Sequence, residues 1–291
     1  MSGSDAVRRI KNILVAADRA GPAPIALERA VLLAKTHNAT VTLLHVMETS
    51  VDANLLALEV TQAKARLTAD FRAATVDMQN EVSVRVECGS PAAQIVAVAD
   101  DIDADLIVMG AHRRRTLRAR FIGSTTDRVV RTAVQPVLVV KARPRGPYRR
   151  VLCATDFSSS SGAACLTATQ LASGATLRLA HVVELPLPLE QALLRSGSGH
   201  SIKDHRRTLV AQARKEMRAL VEEVERRTEA VVRASVESGS PASTLVRAAK
   251  RNIIDLLAVG ASGRGALAGF FLGHVTQQLL RDAPIDVLTA R

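Results

Sequence analysis

Short apolar runs alternate along this chain with longer stretches in which apolar side chains recur every three or four residues. Ile13 to Ala17 is one such run, closing on Asp18, and Val41 to Val46 is a second, carrying His45 near its end. Runs of this length rich in branched side chains predict buried strands. Between them, after a turn at Gly21 to Pro24, Ile25, Ala26, Arg29, Ala30 and Leu33 trace one face of a helix. Residues 47 to 54 read as a loop. From Leu56, the spacing of Val60, Ala63, Leu67, Phe71 and Ala74 predicts an amphipathic helix. Val82, Val84 and Val86 alternate with polar residues, the pattern of a strand with one exposed face. Ser90-Pro91 supplies a capping residue and a first helical position for a helix running through Ile95 to Ala99. Leu106 to Met109 and Val137 to Val140 complete a set of five strands.

The second half replays this order. Arg150 to Asp156 matches the first strand and its acid, His181-Val182 matches His45-Val46, Ser240-Pro241-Ala242 matches Ser90-Pro91-Ala92, and Asp255 matches Asp105. Leu209, Ala213, Met217, Leu220 and Val224 repeat the long helix, after a Pro-, Gly- and Ser-rich stretch from Pro186 to Ser201 that predicts a mobile loop. Agreement at separated landmarks marks a duplication. The join falls in Lys141 to Arg150, where Pro144, Gly146 and Pro147 interrupt the pattern, giving domains at 1–145 and 146–291. Each is large enough to bury its own core. Strands alternating with helices predict α/β domains, each a five-stranded parallel sheet with helices on both faces. Ligands in such sheets sit beyond the carboxyl ends of the strands, where strand order reverses. Asp18, Val46 and Gly110 fall at those ends in the first half, as do Asp156, Val182 and Gly260 in the second.

Late in the second half stands DLLAVGASGRGALAGFFLGHVTQQLL, residues 255–280. A short strand meets Gly260, a loop holds Gly263, Gly265 and Gly269, and Gly273 precedes His274, Val275 and a helical spacing of Leu279 and Leu280. Glycines let backbone N–H groups approach oxygens, and a helix N-terminus favours an anion, so the stretch has the chemistry of a phosphate cradle. Residues 105–130, DLIVMGAHRRRTLRARFIGSTTDRVV, repeat it in register, with Gly110 and Gly123 in place and Ser124, Thr125 and Thr126 at the helix start.

The pattern G-x2-G-x9-G-(S/T) after a strand resembles the universal stress proteins, and the duplication resembles their tandem two-domain members. The resemblance spans nearly the whole chain and implies two tandem HUP/Rossmann-like domains. It also implies an adenine nucleotide pocket, for ATP or a relative with or without Mg. The first-strand acid (Asp18 or Asp156) and the backbone at Val46 or Val182 would stand near adenosine. The phosphates would lie along Gly260, Gly263, Gly273, His274 and Val275, or along Gly110, Gly123, Ser124 and Thr125. The run Thr155 to Ser158, TDFS, is close to nucleotide-binding members. Each copy departs at one position: His274 stands where the family has Ser or Thr, and Arg113 where it has the middle glycine. Tandem members pair their domains about a pseudo-twofold axis through the last strands, here Val137 to Lys141 and Asp286 to Ala290, each domain keeping its own sheet; a homodimer of chains is a further expectation. The implied role is a stress response exerted through partners.

Charge and composition narrow this little. The net charge of +11 divides as 20 Lys+Arg against 15 Asp+Glu in residues 1–145 and 19 against 13 in the rest. Arg113, Arg114, Arg115, Arg118 and Arg120 account for the first excess, as a solvated loop or as a clamp for phosphate. Nucleic acid is not expected as a partner, because five Phe, one Tyr and no Trp supply few stacking platforms. Cys88, Cys153 and Cys165 lack metal-ligand spacing, no metal site is expected, and reduced thiols in a cytoplasmic protein follow. Met1 to Lys11 is polar and basic with no apolar core behind it, unlike a signal peptide, and no run reaches the ~20 apolar residues of a membrane helix. No nucleophile elbow, Walker lysine or flanking carboxylate pair is present, so an enzyme is not expected. Two alternatives stay open: a tandem scaffold without nucleotide, and a slow ATPase.

Overall fold

The computed structural model describes residues 10–17, 23–48, 53–74, 82–111, 123–185, 191, 199–228, 230–251, 253–263 and 272–291. Asp18 and the basic stretch from Arg113 to Arg120 lie outside the described residues, as do Phe121, Phe270 and Phe271. The first half runs β1 (Asn12–Ala17), α1 (Ala23–His37), β2 (Thr40–Met47), α2 (Ala53–Ala74), β3 (Val82–Cys88), α3 (Pro91–Asp101), β4 (Leu106–Gly110), α4 (Ser124–Thr132) and β5 (Val137–Val140). The second repeats it as β6 (Arg150–Ala154), α5 (Ser159–Leu171), β7 (Thr176–Val183), α6 (Gly199–Arg227), β8 (Val232–Ser238), α7 (Pro241–Arg251), β9 (Leu256–Gly260), α8 (His274–Asp282) and β10 (Asp286–Ala290).

Within each half the five strands are parallel, in the order β3-β2-β1-β4-β5 and its mirror β10-β9-β6-β7-β8. The strand interiors are apolar on both faces because both faces are covered. Ile13 and Val15 point into one apolar layer, shared with α1, α5 and the long helices α2 and α6. Leu14 and Ile107 point into the opposite layer, under α3, α4, α7 and α8. The outer strand β3 departs from the alternation expected of it: Val82, Val84 and Val86 are only half-buried, and so are Arg85 and Glu87.

The halves do not keep separate sheets. β5 and β10 pair antiparallel, with Val287 opposite Val139 and Thr289 opposite Val137, and the ten strands form one continuous sheet. Pairing removes two exposed apolar edges at once, since an unpaired edge strand is a template for aggregation. A buried polar knot fixes the junction. Asp286, 2% exposed, accepts from the Tyr148 hydroxyl at 2.6 Å and from the Lys141 backbone N–H at 2.8 Å. Arg29 stands over the Tyr148 ring at 3.9 Å, gives its Nη1 to the Gly146 carbonyl at 2.8 Å and brings Nε to 3.3 Å from the Asp286 carboxylate. That last approach lacks hydrogen-bond alignment, so it is a contact of charge. Lys141 Nζ crosses the same junction to cap the end of α8 through the Ala283 carbonyl at 2.8 Å.

Three local expectations are revised. Pro24 lies in the first turn of α1 rather than in the turn before it, a position where its missing N–H costs nothing. The loop read over residues 47 to 54 is shorter at both ends, since Met47 belongs to β2 and Ala53 and Asn54 open α2. Gly199 to Ser201, read as the end of a loop, open α6.

Candidate functional site

The site grows from the uneven lengths of three neighbouring strands. Pairing of β6 with β7 stops at Ala154 and Ala180, while β7 runs on to Val183, paired only with β8. On its other side β6 ends against Val259, and β9 continues to Gly260. The end of β6 therefore sits in a notch between two longer strands, at the point where the connections diverge to opposite sides. Asp156 stands in that notch.

The chain leaves β6 through a tight, polar turn. Phe157 adopts φ 62°, a conformation that costs a residue with a side chain about 1–2 kcal/mol. Its ring stacks on His181 with centroids 4.5 Å apart, and its N–H donates to Thr155 Oγ1 at 2.9 Å. Asp156 Oδ1 accepts from the Ser158 backbone N–H at 3.1 Å and from the Ser158 hydroxyl at 2.5 Å. Ser158 is the N-cap of α5, accepting from the Ser161 N–H at 3.3 Å. Ser160 donates to the Ser262 carbonyl, tying the turn to the glycine loop. His181 donates Nδ1 to the Thr155 carbonyl at 2.7 Å, and His45 makes the matching contact to the Ala17 carbonyl at 3.1 Å. Both histidines thus hold the end of the first strand of their half. Val182 is buried in the core, and Val46 is half-buried.

The glycines have separate jobs. A Cβ on Gly260 would lie 2.6 Å from Ser160 Oγ and 2.7 Å from the Ser161 nitrogen, so this glycine lets α5 pack on the end of β9. Gly263 is exposed, and a Cβ there would stand 3.1 Å from Asp156 Oδ2. It needs glycine for this approach and not for a left-handed backbone, since its φ is not positive. A Cβ on Gly273 would lie 3.7 Å from the Gly263 nitrogen. The Gly273 N–H is itself taken by the Ala261 carbonyl at 2.9 Å. Asp156, Gly263 and Gly273 therefore converge on one point above β6.

Gly273 caps α8 with an extended backbone, and the helix opens on His274, Val275 and Thr276 with no acid in its first turn. The Thr276 hydroxyl donates to the Gly260 carbonyl at 2.7 Å, anchoring the helix start to β9. His274 is exposed, its Nε2 3.3 Å from Gln278, one turn along the helix and away from the loop. Val275 is half-buried against the core.

In the first half Gly110 ends β4, and Gly123 caps α4 in the same extended conformation as Gly273. Ser124 is exposed and Thr125 half-buried. The difference is Asp127, an acid in the first turn of α4 that pairs with Arg131 at 2.8 Å, where α8 has Gln277. A carboxylate there already occupies the positive end of the helix and opposes a second anion. The contrast between Asp127 and Gln277 is visible when the two copies are aligned, as is the serine run 158–161 that builds the turn. The left-handed Phe157 has no such signal, because a phenylalanine gives no hint of positive φ.

Asp105 and Asp255, landmarks of the repeat, stand at the opposite end of the sheet. Asp105 accepts from the backbone N–H groups of Lys11 and Asn12 at 2.8 and 3.0 Å, and Asp255 from those of Arg149 and Arg150 at 2.9 and 3.0 Å. Among the described residues no cluster of His, Cys, Asp or Glu could hold a metal ion, and no helix is long and apolar enough to cross a membrane. Cys153 and Cys165 are buried free thiols, and Cys88 is a half-buried one.

Comparison with known proteins gives the chain its family. A protein of Staphylococcus aureus assigned to the universal stress proteins is 32% identical over 139 residues, 45% of this chain and 84% of its own length. A universal stress protein of Methanocaldococcus jannaschii is 36% identical over 67 residues, and the match spans 41% of that protein. The crystal structure of a universal stress protein from Archaeoglobus fulgidus shares the fold over 99% of both chains, with a TM-score of 0.69 at 17% identity. The universal stress protein family matches twice, over residues 9–141 and 147–291, and the chain belongs to that family as a tandem two-domain member.

Proposed function

We propose that the second half binds an adenine nucleotide and that the protein acts as a binding component in a stress response, not as an enzyme. The observation that carries this is the meeting of Gly263 with Asp156, which brings the glycine loop and the first-strand acid together over one notch. The start of α8 lies beside Gly263, and its first turn carries no acid. Phosphates would lie along Gly263 and the N–H groups at His274 and Val275, with adenosine toward Asp156 and the free inner edge of β7 at Val182. Helix N-termini favour phosphate through both their unpaired donors and their dipole. Gly260 and Gly273 shape the loop, their roles being packing and capping. In the first half Asp127 disfavours phosphate at α4, so the sites at Asp18, Val46, Gly110, Gly123, Ser124 and Thr125 bind more weakly. The Asp156 carboxylate is held by Ser158, which suits orientation of a ligand more than proton transfer.

Mass spectrometry of small molecules released from the purified protein, with calorimetry of ATP in the presence and absence of Mg, tests the reading. A stoichiometric adenine nucleotide, or ATP binding lost in Gly263→Arg, supports it. An empty protein that ignores ATP leaves the scaffold. Phosphate release that keeps pace with binding and disappears in Asp156→Asn assigns an ATPase instead.

A further inference from the structure

A second feature of the second half has no counterpart in the first. Lys203, Arg206, Arg207, Val210 and Arg214 share one face of α6 and, with Ser238 at the end of β8, line a concavity of about 510 Å3. Their spacing of three, four and seven residues puts them in a single stripe about 16 Å long. Only one acid, Asp204, lies among the four cations; it reaches Arg207 at 3.5 Å in an exposed pair. Lys203 and Arg207 stand one turn apart, where like charges repel. Further along the same helix Arg226 and Arg227 are both paired to Glu223. In α2, the matching helix of the first half, the first sixteen residues carry Glu59, Lys64 and Arg66 only. Neither the fold nor helix stability therefore calls for the cationic stripe.

The groove's size and surroundings narrow the occupant. Its volume suits a small molecule, and a protein partner would need roughly 1,000 Å2 of matching surface. α6 carries no Phe, Tyr or Trp on which bases could stack. Guanidinium forks at Arg206, Arg207 and Arg214 match phosphate oxygens, and so many cations in one stripe call for a ligand of several negative charges. The groove's one strand residue, Ser238, ends β8, which lies two strand spacings, about 10 Å across the sheet, from β6. We propose that the groove is a second anion site, taking a small ligand with two or more phosphate groups, distinct from the nucleotide notch.

Calorimetry of sodium tripolyphosphate against the full chain tests this independently of the nucleotide reading. Arg207→Ala and Arg214→Ala should each weaken binding at least fivefold, and Lys215→Ala, on the same helix outside the groove, less than twofold. Circular dichroism should show α6 unchanged in all three, because the substituted side chains are exposed. Gly263→Arg should leave tripolyphosphate binding intact even where it abolishes ATP binding. The proposal is overturned by absent binding, by an equal loss in Lys215→Ala, or by loss in Gly263→Arg, which would put the anion in the notch. Citrate binding as tightly would remove the phosphate assignment, and tighter binding of a single-stranded oligonucleotide would replace the small ligand with nucleic acid.

Discussion

Replacing Asp286 by alanine should be among the most damaging single changes in this protein, although the residue lies far from the proposed ligand. Its carboxylate is 2% exposed and serves the Tyr148 hydroxyl, the backbone of Lys141 and the Arg29 guanidinium, itself 5% exposed. In Asp286→Ala the arginine keeps the Gly146 carbonyl and the Tyr148 ring but loses its countercharge. Removing one partner of a buried pair costs about 3–5 kcal/mol, because the other charge stays buried and uncompensated. At roughly 2–4 °C per kcal/mol for domains of 150–250 residues, the melting temperature should fall by about 6–20 °C. The double variant Arg29→Met with Asp286→Leu should recover most of that loss, since the desolvation of both charges disappears with them. Urea unfolding followed by circular dichroism measures each variant. A loss below about 1 kcal/mol in Asp286→Ala, or a double variant no better than the single, would refute the argument that buried charge holds the junction.

The same knot makes the single tyrosine a probe. Burial first, and then the Asp286 charge, push the Tyr148 hydroxyl well above its usual value near 10. Folding therefore favours the protonated phenol, and its contribution is full below pH 10 and lost as pH rises past it. Absorbance at 295 nm should show Tyr148 titrating above pH 10 in the folded chain and near 10 in urea; identical titrations would sink the idea. Gly260→Ala should cost about 1–3 kcal/mol of stability, as overpacking against the α5 backbone does, whereas Gly263→Ala should leave unfolding within about 0.5 kcal/mol and weaken ATP instead. If both glycines move stability alone, the loop is structural. Cys88 should react first with a thiol reagent under native conditions. Cys153, raised by its hydrogen bond with Cys165 and by burial, should react only on unfolding; early labelling of Cys153 would contradict its core position.

The apolar runs and their alternation with helical spacing determined the strands and the parallel sheets, because a central strand covered on both faces must be apolar throughout, and the repeated landmarks determined the duplication. The runs also placed Asp156 and the glycine loop at the same end of the sheet, since carboxyl ends of parallel strands share one side. Ser158, Gly263 and the start of α8 could be read as turn and cap chemistry, which is local. What lay beyond the sequence was contact between distant segments. Nothing local in Asp286 announces that it will be buried against Arg29 and Tyr148, and although the resemblance points to β5 and β10 as the strands through which the halves meet, nothing in them announces one continuous sheet. Gly260 and Gly263 look alike along the chain, yet one meets the backbone of α5 and the other the carboxylate of Asp156. A glycine reports that a side chain is missing; only the tertiary structure decides what stands in its place.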